Sequence, residues 1–274
     1  MHRNSAPDPR SIRFIAMDMD GTILDAGYRL SPRVKDTLLQ LQSGGRKLII
    51  ATGRVLGAAR NFLQGAFEPD AFVCTNGADI YGAEGQKLAE HHIPSDAHAI
   101  LKAVSRSYDV LFAWYLGEDW YYEQANEYSD FYEKRTGIQG RLVNFDDLAD
   151  ASIVKCIVIG PRAALLAIRT RLAAQAGSLL DTMFSHNEML EIVAHGVNKR
   201  AGLEECLHAF GGSLAETIAF GDAENDLDML KAAAVGVAMG NAPELVKAHV
   251  LHIAPSVDDD GVAHFLTHYF GMNQ

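Results

Sequence analysis

The 274-residue sequence has few cysteines, and none of them is spaced as a disulfide or zinc motif. The three are widely separated, flanked by apolar residues and odd in number, which argues against a disulfide framework, a Cys/His metal site or a catalytic thiol. Isolated cysteines of this kind indicate buried thiols in a reducing cytoplasm. They are Cys74, Cys156 and Cys206.

The sequence also lacks a long apolar run, a leader-like start and an excess of basic residues. No stretch reaches the roughly 18 apolar residues of a membrane span, and residues 1–10 contain no apolar segment typical of a signal peptide. The net charge of −11 argues against nucleic acid and anionic membranes as partners. We therefore expect a cytoplasmic protein with a small-molecule partner, either a monomer or a small homo-oligomer.

Two acidic motifs follow short apolar segments that are predicted to be buried strands. An Asp-x-Asp-Gly-Thr run at 18–22 follows the segment 12–17, and a Gly-Asp-x-x-Asn-Asp run at 221–226 follows the segment 217–220. Carboxylates grouped beside a core repel one another, and a cation usually has to hold them there. Two such strand ends in one chain predict a shared divalent cation with oxygen ligands.

In the functional interpretation, Asp18 is a nucleophile or a metal ligand and Asp20 is a proton donor. Asp222 binds the cation, and Asn225 and Asp226 hold that ligand or its water. The structural alternative is that these residues belong to turns and helix caps, where Asp and Asn are common. Capping explains one acid of the second motif but not both.

Two further positions are candidates for binding phosphate. Thr52 and Gly53 follow the predicted strand 47–51 and open a helix, so the hydroxyl and the amide could bind an anion there, or Thr52 could be only an N-cap. Lys199 begins a later helix and would neutralise phosphate oxygens, although a lysine at a helix start is usually solvated. The sequence does not decide whether Arg54 contacts the site or is a surface charge.

Both ends of the chain alternate strands and helices with short links. This pattern predicts an α/β fold with a Rossmann-like, doubly wound parallel sheet, in which ligands bind beyond the carboxyl ends of the strands. The middle mixes hairpins with helices and predicts an inserted α+β domain. We place the core domain at residues 1–85 and 188–274 and the insertion at 86–187.

Taken in order, these motifs resemble a known family. Asp18-x-Asp20-Gly-Thr, Thr52-Gly-Arg, Lys199 and Gly-Asp222-x-x-Asn-Asp are similar to the four motifs of haloacid dehalogenase-like phosphatases. The insertion resembles the large α/β cap of the Cof-type subgroup, as do the runs at 75–78, 190–192 and 260–263. The resemblance covers nearly the whole chain, although the residues around Lys199 depart mildly from the commoner Ser/Asp-Lys-Gly pattern.

The resemblance implies a Mg²⁺-dependent phosphatase that acts on small phosphate monoesters such as sugar phosphates. Asp18 would attack phosphorus and form an aspartyl phosphate, while Asp20 would protonate the leaving alcohol and then deprotonate water. Mg²⁺ would lie between Asp18, the backbone carbonyl of Asp20 and Asp222, and Thr52 and Lys199 would hold the phosphoryl oxygens.

Two other functions stay open at this point. A phosphosugar mutase of the phosphomannomutase-like type would return the phosphoryl group to a sugar hydroxyl. A non-catalytic phosphometabolite-binding protein would not turn over, and the intact pair of Asp18 and Asp20 argues against it. The cap is expected to close over the site and to select the substrate, with Tyr115, Tyr121, Lys155 and the turn 185–188 as candidate specificity residues.

Overall fold

The structure is a computed structural model that describes residues 7–63, 65–148 and 150–272. Residues 1–6 and 273–274, which form the two ends of the predicted core domain, lie outside the described residues. Every helix in the described ranges is too short or too polar to cross a membrane.

Strands and helices succeed one another along the whole chain. The first part contains β1 (Phe14–Met17), α1 (Pro32–Ser43), β2 (Lys47–Ala51), α2 (Leu56–Leu63), β3 (Ala71–Cys74), β4 (Asp79–Gly82) and β5 (Lys87–Glu90). The middle part contains α3 (His98–Ser105), β6 (Leu111–Leu116), β7 (Asp119–Tyr122), α4 (Glu127–Thr136), β8 (Arg141–Leu142), β9 (Lys155–Ile159), α5 (Arg162–Ala176), β10 (Leu180–His186) and β11 (Met189–Ala194). The last part contains α6 (Lys199–Ala209), β12 (Thr217–Gly221), α7 (Leu227–Ala232), β13 (Val235–Ala238), α8 (Glu244–Lys247), β14 (His252–Ile253) and α9 (Gly261–Phe270).

The chain divides into two compact units. The larger comprises Met1–Ala89 and Lys199–Gln274, and the smaller is Glu90–Asn198. The sequence-based boundary near 188 falls between β10 and β11, whereas the smaller unit continues beyond β11. The reason is pairing: β11 lies between β10 and β9 in one sheet, so all three strands belong to the same unit.

The larger unit is built on an eight-stranded sheet in the order β14-β13-β12-β1-β2-β3-β4-β5. The strands from β14 to β3 are parallel, and β4 pairs antiparallel with β3. Side chains of β1 alternate between two apolar layers: Ile15 and Met17 pack with residues of α1, α2 and α9, and Phe14 and Ala16 with residues of α6 and α7. Helices on both faces confirm the predicted doubly wound fold.

Local sequence signals place the helices that flank this sheet. Ser31 is the N-cap of α1, where its hydroxyl accepts a hydrogen bond from the Val34 amide at 3.1 Å, and Pro32 occupies the first helical position. Gly44 ends the helix. Such signals fix where a helix begins, and the apolar face then decides which layer it covers.

The smaller unit has a six-stranded sheet in the order β10-β11-β9-β6-β7-β8. Its neighbouring strands are antiparallel except for the short pair β7 and β8. Apolar residues of α3 and α5 pack against one face of the sheet, and Trp114 there stacks on Phe145 with ring centroids 4.1 Å apart. This is the predicted α+β insertion.

Candidate active site

Asp18 and Asp222 follow neighbouring parallel strands, and the register brings them together. Met17 at the end of β1 lies opposite Phe220 of β12, and the Asp18 amide donates to the Phe220 carbonyl at 3.0 Å. Asp18, Asp222 and Asp226 each offer a carboxylate oxygen, and these oxygens lie within 4.8 Å of one another. The structure thus gathers both acidic motifs at one edge of the sheet.

Lys199 lies between two of these carboxylates. Its side chain is 1% exposed, and its Nζ donates to Asp18 Oδ1 at 2.5 Å and to Asp226 Oδ1 at 2.7 Å. Burial acts to lower the pKa of Lys199, but the two carboxylates outweigh burial and raise it. The interpretation of Lys199 as a solvated residue is therefore excluded: it is a buried cation that compensates buried acids.

Asp226 has both carboxylate oxygens occupied. Oδ1 accepts from Lys199, and Oδ2 accepts from the backbone amides of Asp222 and Ala223 at 3.0 Å each. The residue is fully buried. A Cβ on Gly221 would lie 2.5 Å from the Asp226 side chain, so only glycine leaves room for it. Asp226 therefore shapes the loop that carries Asp222 and binds Lys199. Asp18 and Asp222 have fewer or longer hydrogen bonds to the protein than Asp226.

Burial and mutual repulsion disfavour charge on the two remaining acids. Burial, followed by the neighbouring carboxylates, raises the pKa of Asp18 to about 7 and that of Asp222 to about 8, with Lys199 opposing both shifts. Three carboxylates against one ammonium leave two negative charges uncompensated when all are ionised. A divalent cation with oxygen ligands would supply that charge, so the donor set fits such an ion.

The turn after β1 is packed tightly against Asp222. Gly21 has a φ of +80°, and a Cβ there would lie 2.4 Å from Asp222 Oδ2. Asn241 donates from Nδ2 to the Gly21 carbonyl at 2.8 Å and more weakly to Asp222 Oδ2 at 3.4 Å. The sequence reasoning missed Asn241, although its Gly-Asn turn begins two residues after β13, at the carboxyl end of the sheet.

Asp20 is not part of the carboxylate group. Its two oxygens accept from Nε and Nη2 of Arg54 at 2.7 and 2.6 Å. The Arg54 guanidinium in turn lies 4.1 Å from the centroid of the Phe62 ring. Arg54, which the sequence left open, therefore contacts the site through Asp20.

Thr52 lies at the end of β2 and is 1% exposed. Its hydroxyl accepts a hydrogen bond from the Arg54 amide at 3.2 Å, and α2 begins only at Leu56. The N-cap interpretation of Thr52 is therefore wrong: Thr52 and Gly53 belong to a turn before the helix. The turn still ends at the same sheet edge as Asp18, because β1 and β2 are parallel neighbours.

Asn225 lies beside the second acidic motif and contacts a residue from another strand. Its Nδ2 donates to Asn76 Oδ1 at 2.9 Å, so its side chain bonds an amide that follows β3. Asn76 is fully buried. Neither side chain is in the carboxylate group around Asp18.

In the smaller unit, Lys155 and Ser185 lie in a buried polar cluster. Lys155 Nζ donates to Glu191 at 2.7 Å, and the Ser185 hydroxyl donates to the same carboxylate at 3.0 Å. Lys155 Nζ also lies 4.9 Å from the centroid of the Tyr115 ring, and the Tyr115 and Tyr132 hydroxyls are 2.6 Å apart. This cluster joins side chains from β6, β9, β10, β11 and α4.

The chain is similar over most of its length to known proteins. Residues 15–266 match the family model of haloacid dehalogenase-like hydrolases. The chain is 28% identical over 259 residues to the HMP-PP phosphatase of Yersinia pestis, and the aligned region covers 94% of this chain and 95% of that protein. The crystal structure of a haloacid dehalogenase-like hydrolase from Bacteroides thetaiotaomicron superposes with a TM-score of 0.81 at 28% identity, covering 94% of this chain and all of that one.

Proposed function

We propose a function for this chain, which belongs to the haloacid dehalogenase-like hydrolase family and is a phosphomonoester hydrolase of the Cof type. In the proposal, the enzyme depends on Mg²⁺ and acts on sugar phosphates or similar metabolites. It forms an aspartyl phosphate on Asp18. The observation that carries the proposal is the buried Lys199 bound to Asp18 beside Asp222 and Asp226. A lysine and a divalent cation at one carboxylate provide the charge that a phosphoryl group needs.

In this proposal, Asp18, Asp222 and the backbone carbonyl of Asp20 would hold Mg²⁺. When bound, the ion neutralises charge on the carboxylates and on the phosphoryl group, so that an anionic nucleophile and an anionic substrate can approach each other. The support is the charge imbalance of the cluster and the hydrogen bonds of Asp18 and Asp222, which are fewer or longer than those of Asp226.

In the first half-reaction, a carboxylate oxygen of Asp18 forms a bond to phosphorus while the bond from phosphorus to the ester oxygen breaks. Asp20 gives its proton to the departing oxygen, which leaves as an alcohol. Because both oxygens of Asp20 accept hydrogen bonds from Arg54, Asp20 has to leave this pairing and take up a proton from solvent before it can act as an acid. In the second half-reaction, Asp20 takes a proton from water, water oxygen bonds to phosphorus, and inorganic phosphate leaves as Asp18 is restored.

The phosphoryl oxygens are held by Thr52, Gly53 and Lys199. An ammonium group has three N–H donors, and Asp18 and Asp226 take two of those of Lys199. The third donor is directed to a phosphoryl oxygen in the proposal. We also propose that the enzyme is a monomer or small homo-oligomer and works in the cytoplasm; its buried free cysteines support the second part, a reducing compartment.

A phosphate-ester panel tests the proposal. Wild-type enzyme is incubated with sugar phosphates, nucleotides and cofactor phosphates in Mg²⁺ or EDTA, and released phosphate is measured together with any isomerised sugar phosphate. We expect Mg²⁺-dependent phosphate release that Asp18→Asn abolishes. Asp36→Asn makes the same chemical change at an exposed position of α1 and should keep full activity.

Two outcomes would reject the proposal. Formation of an isomer without net phosphate release would show a mutase. Binding of phosphate esters with no turnover across the panel would show a non-catalytic binding protein.

A further inference from the structure

The turn that follows β3 has an unusual backbone conformation. Thr75, Asn76 and Gly77 all have positive φ, at 55°, 56° and 100°. Thr75 and Asn76 are fully buried. Residues other than glycine are strained at positive φ. Such strain persists where the surrounding structure determines the conformation, often at a functional site.

Backbone hydrogen bonds fix this turn to the loop that carries Thr52. The Asn76 amide donates to the Thr52 carbonyl at 3.0 Å, and the Thr75 amide donates to the Arg54 carbonyl at 3.0 Å. A change in the path of the turn would therefore move the threonine proposed to bind phosphate.

The same turn packs against the helix that carries Lys199. A Cβ on Gly202 of α6 would lie 2.7 Å from the Cα of Gly77 and 3.1 Å from its carbonyl oxygen. Helix and turn are therefore in backbone contact, and the start of α6 is held at a fixed distance from β3.

The side chain of Asn76 reaches the second acidic motif. Its Oδ1 accepts from Asn225 Nδ2 at 2.9 Å. The remaining atoms of this amide pair, Asn76 Nδ2 and Asn225 Oδ1, are buried and have no hydrogen-bond partner within the described ranges. Buried polar atoms without partners are rare, and a buried unpaired donor calls for a ligand or a functional explanation.

From these contacts, and resting on the proposed function, we propose that Asn76 is a positioning residue that fixes the phosphate-binding loop through its backbone and the loop of Asp222 through its bond to Asn225. Removing the amide would let Asn225 and the residues around it adopt several positions. Both phosphoryl transfer and cation binding depend on fixed ligand geometry, so both would weaken.

Two substitutions separate the role of the amide from that of the turn. Asn76→Gly removes the side chain and suits the positive φ, whereas Asn76→Ala removes the same amide and adds backbone strain. If the amide positions Asn225, both variants lose at least about tenfold in kcat, with a smaller change in KM, and Asn76→Ala loses more thermal stability than Asn76→Gly because it adds backbone strain. Wild-type kinetics for Asn76→Gly would overturn the proposal, because the turn alone would then explain the residue.

A double-mutant cycle locates the partner. Asn225→Ala and Asn76→Gly should together cost no more in kcat than the larger single loss, since each breaks the same hydrogen bond. Multiplicative losses would show that Asn76 does not act through Asn225. Val34→Ala in α1 is the control for general destabilisation, and it should lower Tm while kcat stays unchanged.

Cation binding gives a readout that does not depend on turnover. Tm is measured with and without Mg²⁺ in the absence of substrate, and we expect the Mg²⁺-induced increase of the wild type to be reduced in Asn76→Gly and kept in Val34→Ala. An undiminished increase in Asn76→Gly would contradict the proposal. If the wild type failed on the phosphate panel, the proposed function would fail while this Tm comparison still decided the role of Asn76.

Discussion

One chemical change, aspartate to asparagine, should have opposite effects on stability at Asp18 and Asp226. At Asp18 it removes a charge that burial and two neighbouring acids disfavour, and Asn can still accept a hydrogen bond from Lys199. We expect Asp18→Asn to abolish turnover, by on the order of 10,000-fold or more, and to stabilise the metal-free fold. The variant would thus gain stability and lose activity, as expected for an active site that has been assembled at the expense of stability.

The magnitude for Asp18→Asn follows from the pKa. A rise from 3.8 to about 7 corresponds to roughly 4 kcal/mol at 1.36 kcal/mol per unit. The attraction of Lys199 lowers that pKa and is therefore already included in it. Asn resembles the neutral form of Asp18, so the gain expected above the pKa is at most roughly 4 kcal/mol.

The difference in stability between Asp18→Asn and the wild type depends on pH between about 4 and about 7. The folded state of the wild type keeps the Asp18 proton more tightly than the unfolded state, so its stability falls as pH rises from about 4 to about 7. Asn does not titrate, so the advantage of the variant is absent near pH 4, grows through this window and is constant above it.

At Asp226 the same change removes an acceptor that three donors share. Asn offers one acceptor oxygen to Lys199 and to the amides of Asp222 and Ala223, so a buried donor is left facing the new NH₂ group. A broken buried pair costs roughly 3–5 kcal/mol, and we expect Asp226→Asn to lose about that much.

Urea unfolding of both variants in EDTA at pH 5 and pH 8 measures these differences. The wild type and Asp36→Asn are the references. Destabilisation of Asp18→Asn at pH 8, or equal stability of the two site variants, would refute the electrostatic account of the cluster.

Three further predictions concern other parts of the larger unit and the buried thiols. Asp20→Asn should slow esters with poor leaving groups more than p-nitrophenyl phosphate, which needs little protonation; equal losses would reject the acid role. Gly202→Ala should push α6 away from Gly77 and lower kcat by displacing Lys199; unchanged kcat would show that the helix adapts. Because burial raises the thiol pKa of Cys156, and that of Cys206 to about 12, a thiol reagent should label no cysteine in the native protein and three in urea. Those three are Cys74, Cys156 and Cys206.

Element positions in the parallel part of the sheet could be predicted closely from the sequence. The predicted strands at 47–51 and 217–220 lie within a residue of β2 and β12, and the segment 12–17 contains β1. Short apolar runs bounded by turn residues are local features, so they are visible in the sequence. The sequence does not predict β4, β5 and β14, because these strands are short, carry little apolar signal and form through pairing; β5 and β14 also lie at the two edges of the sheet.

The candidate site could be predicted by residue type and strand end, but its contacts could not. The sequence predicts four of the site residues because each stands where a parallel strand or a following helix meets the sheet edge; these are Asp18, Thr52, Lys199 and Asp222. The pairing of Asp20 with Arg54 was not predictable, since an arginine side chain reaches in several directions from a turn.

The sequence by itself determined which carboxylates follow strands and that an α+β insertion interrupts the α/β core. Only the tertiary structure decided that Lys199 lies between Asp18 and Asp226, 181 residues away from the first, and that Asn76 bonds Asn225 across 149 residues. The physical reason is that local patterns fix the backbone of each strand and helix, whereas side-chain contacts across the sheet edge depend on register, packing distance and the rotamers that the assembled core permits.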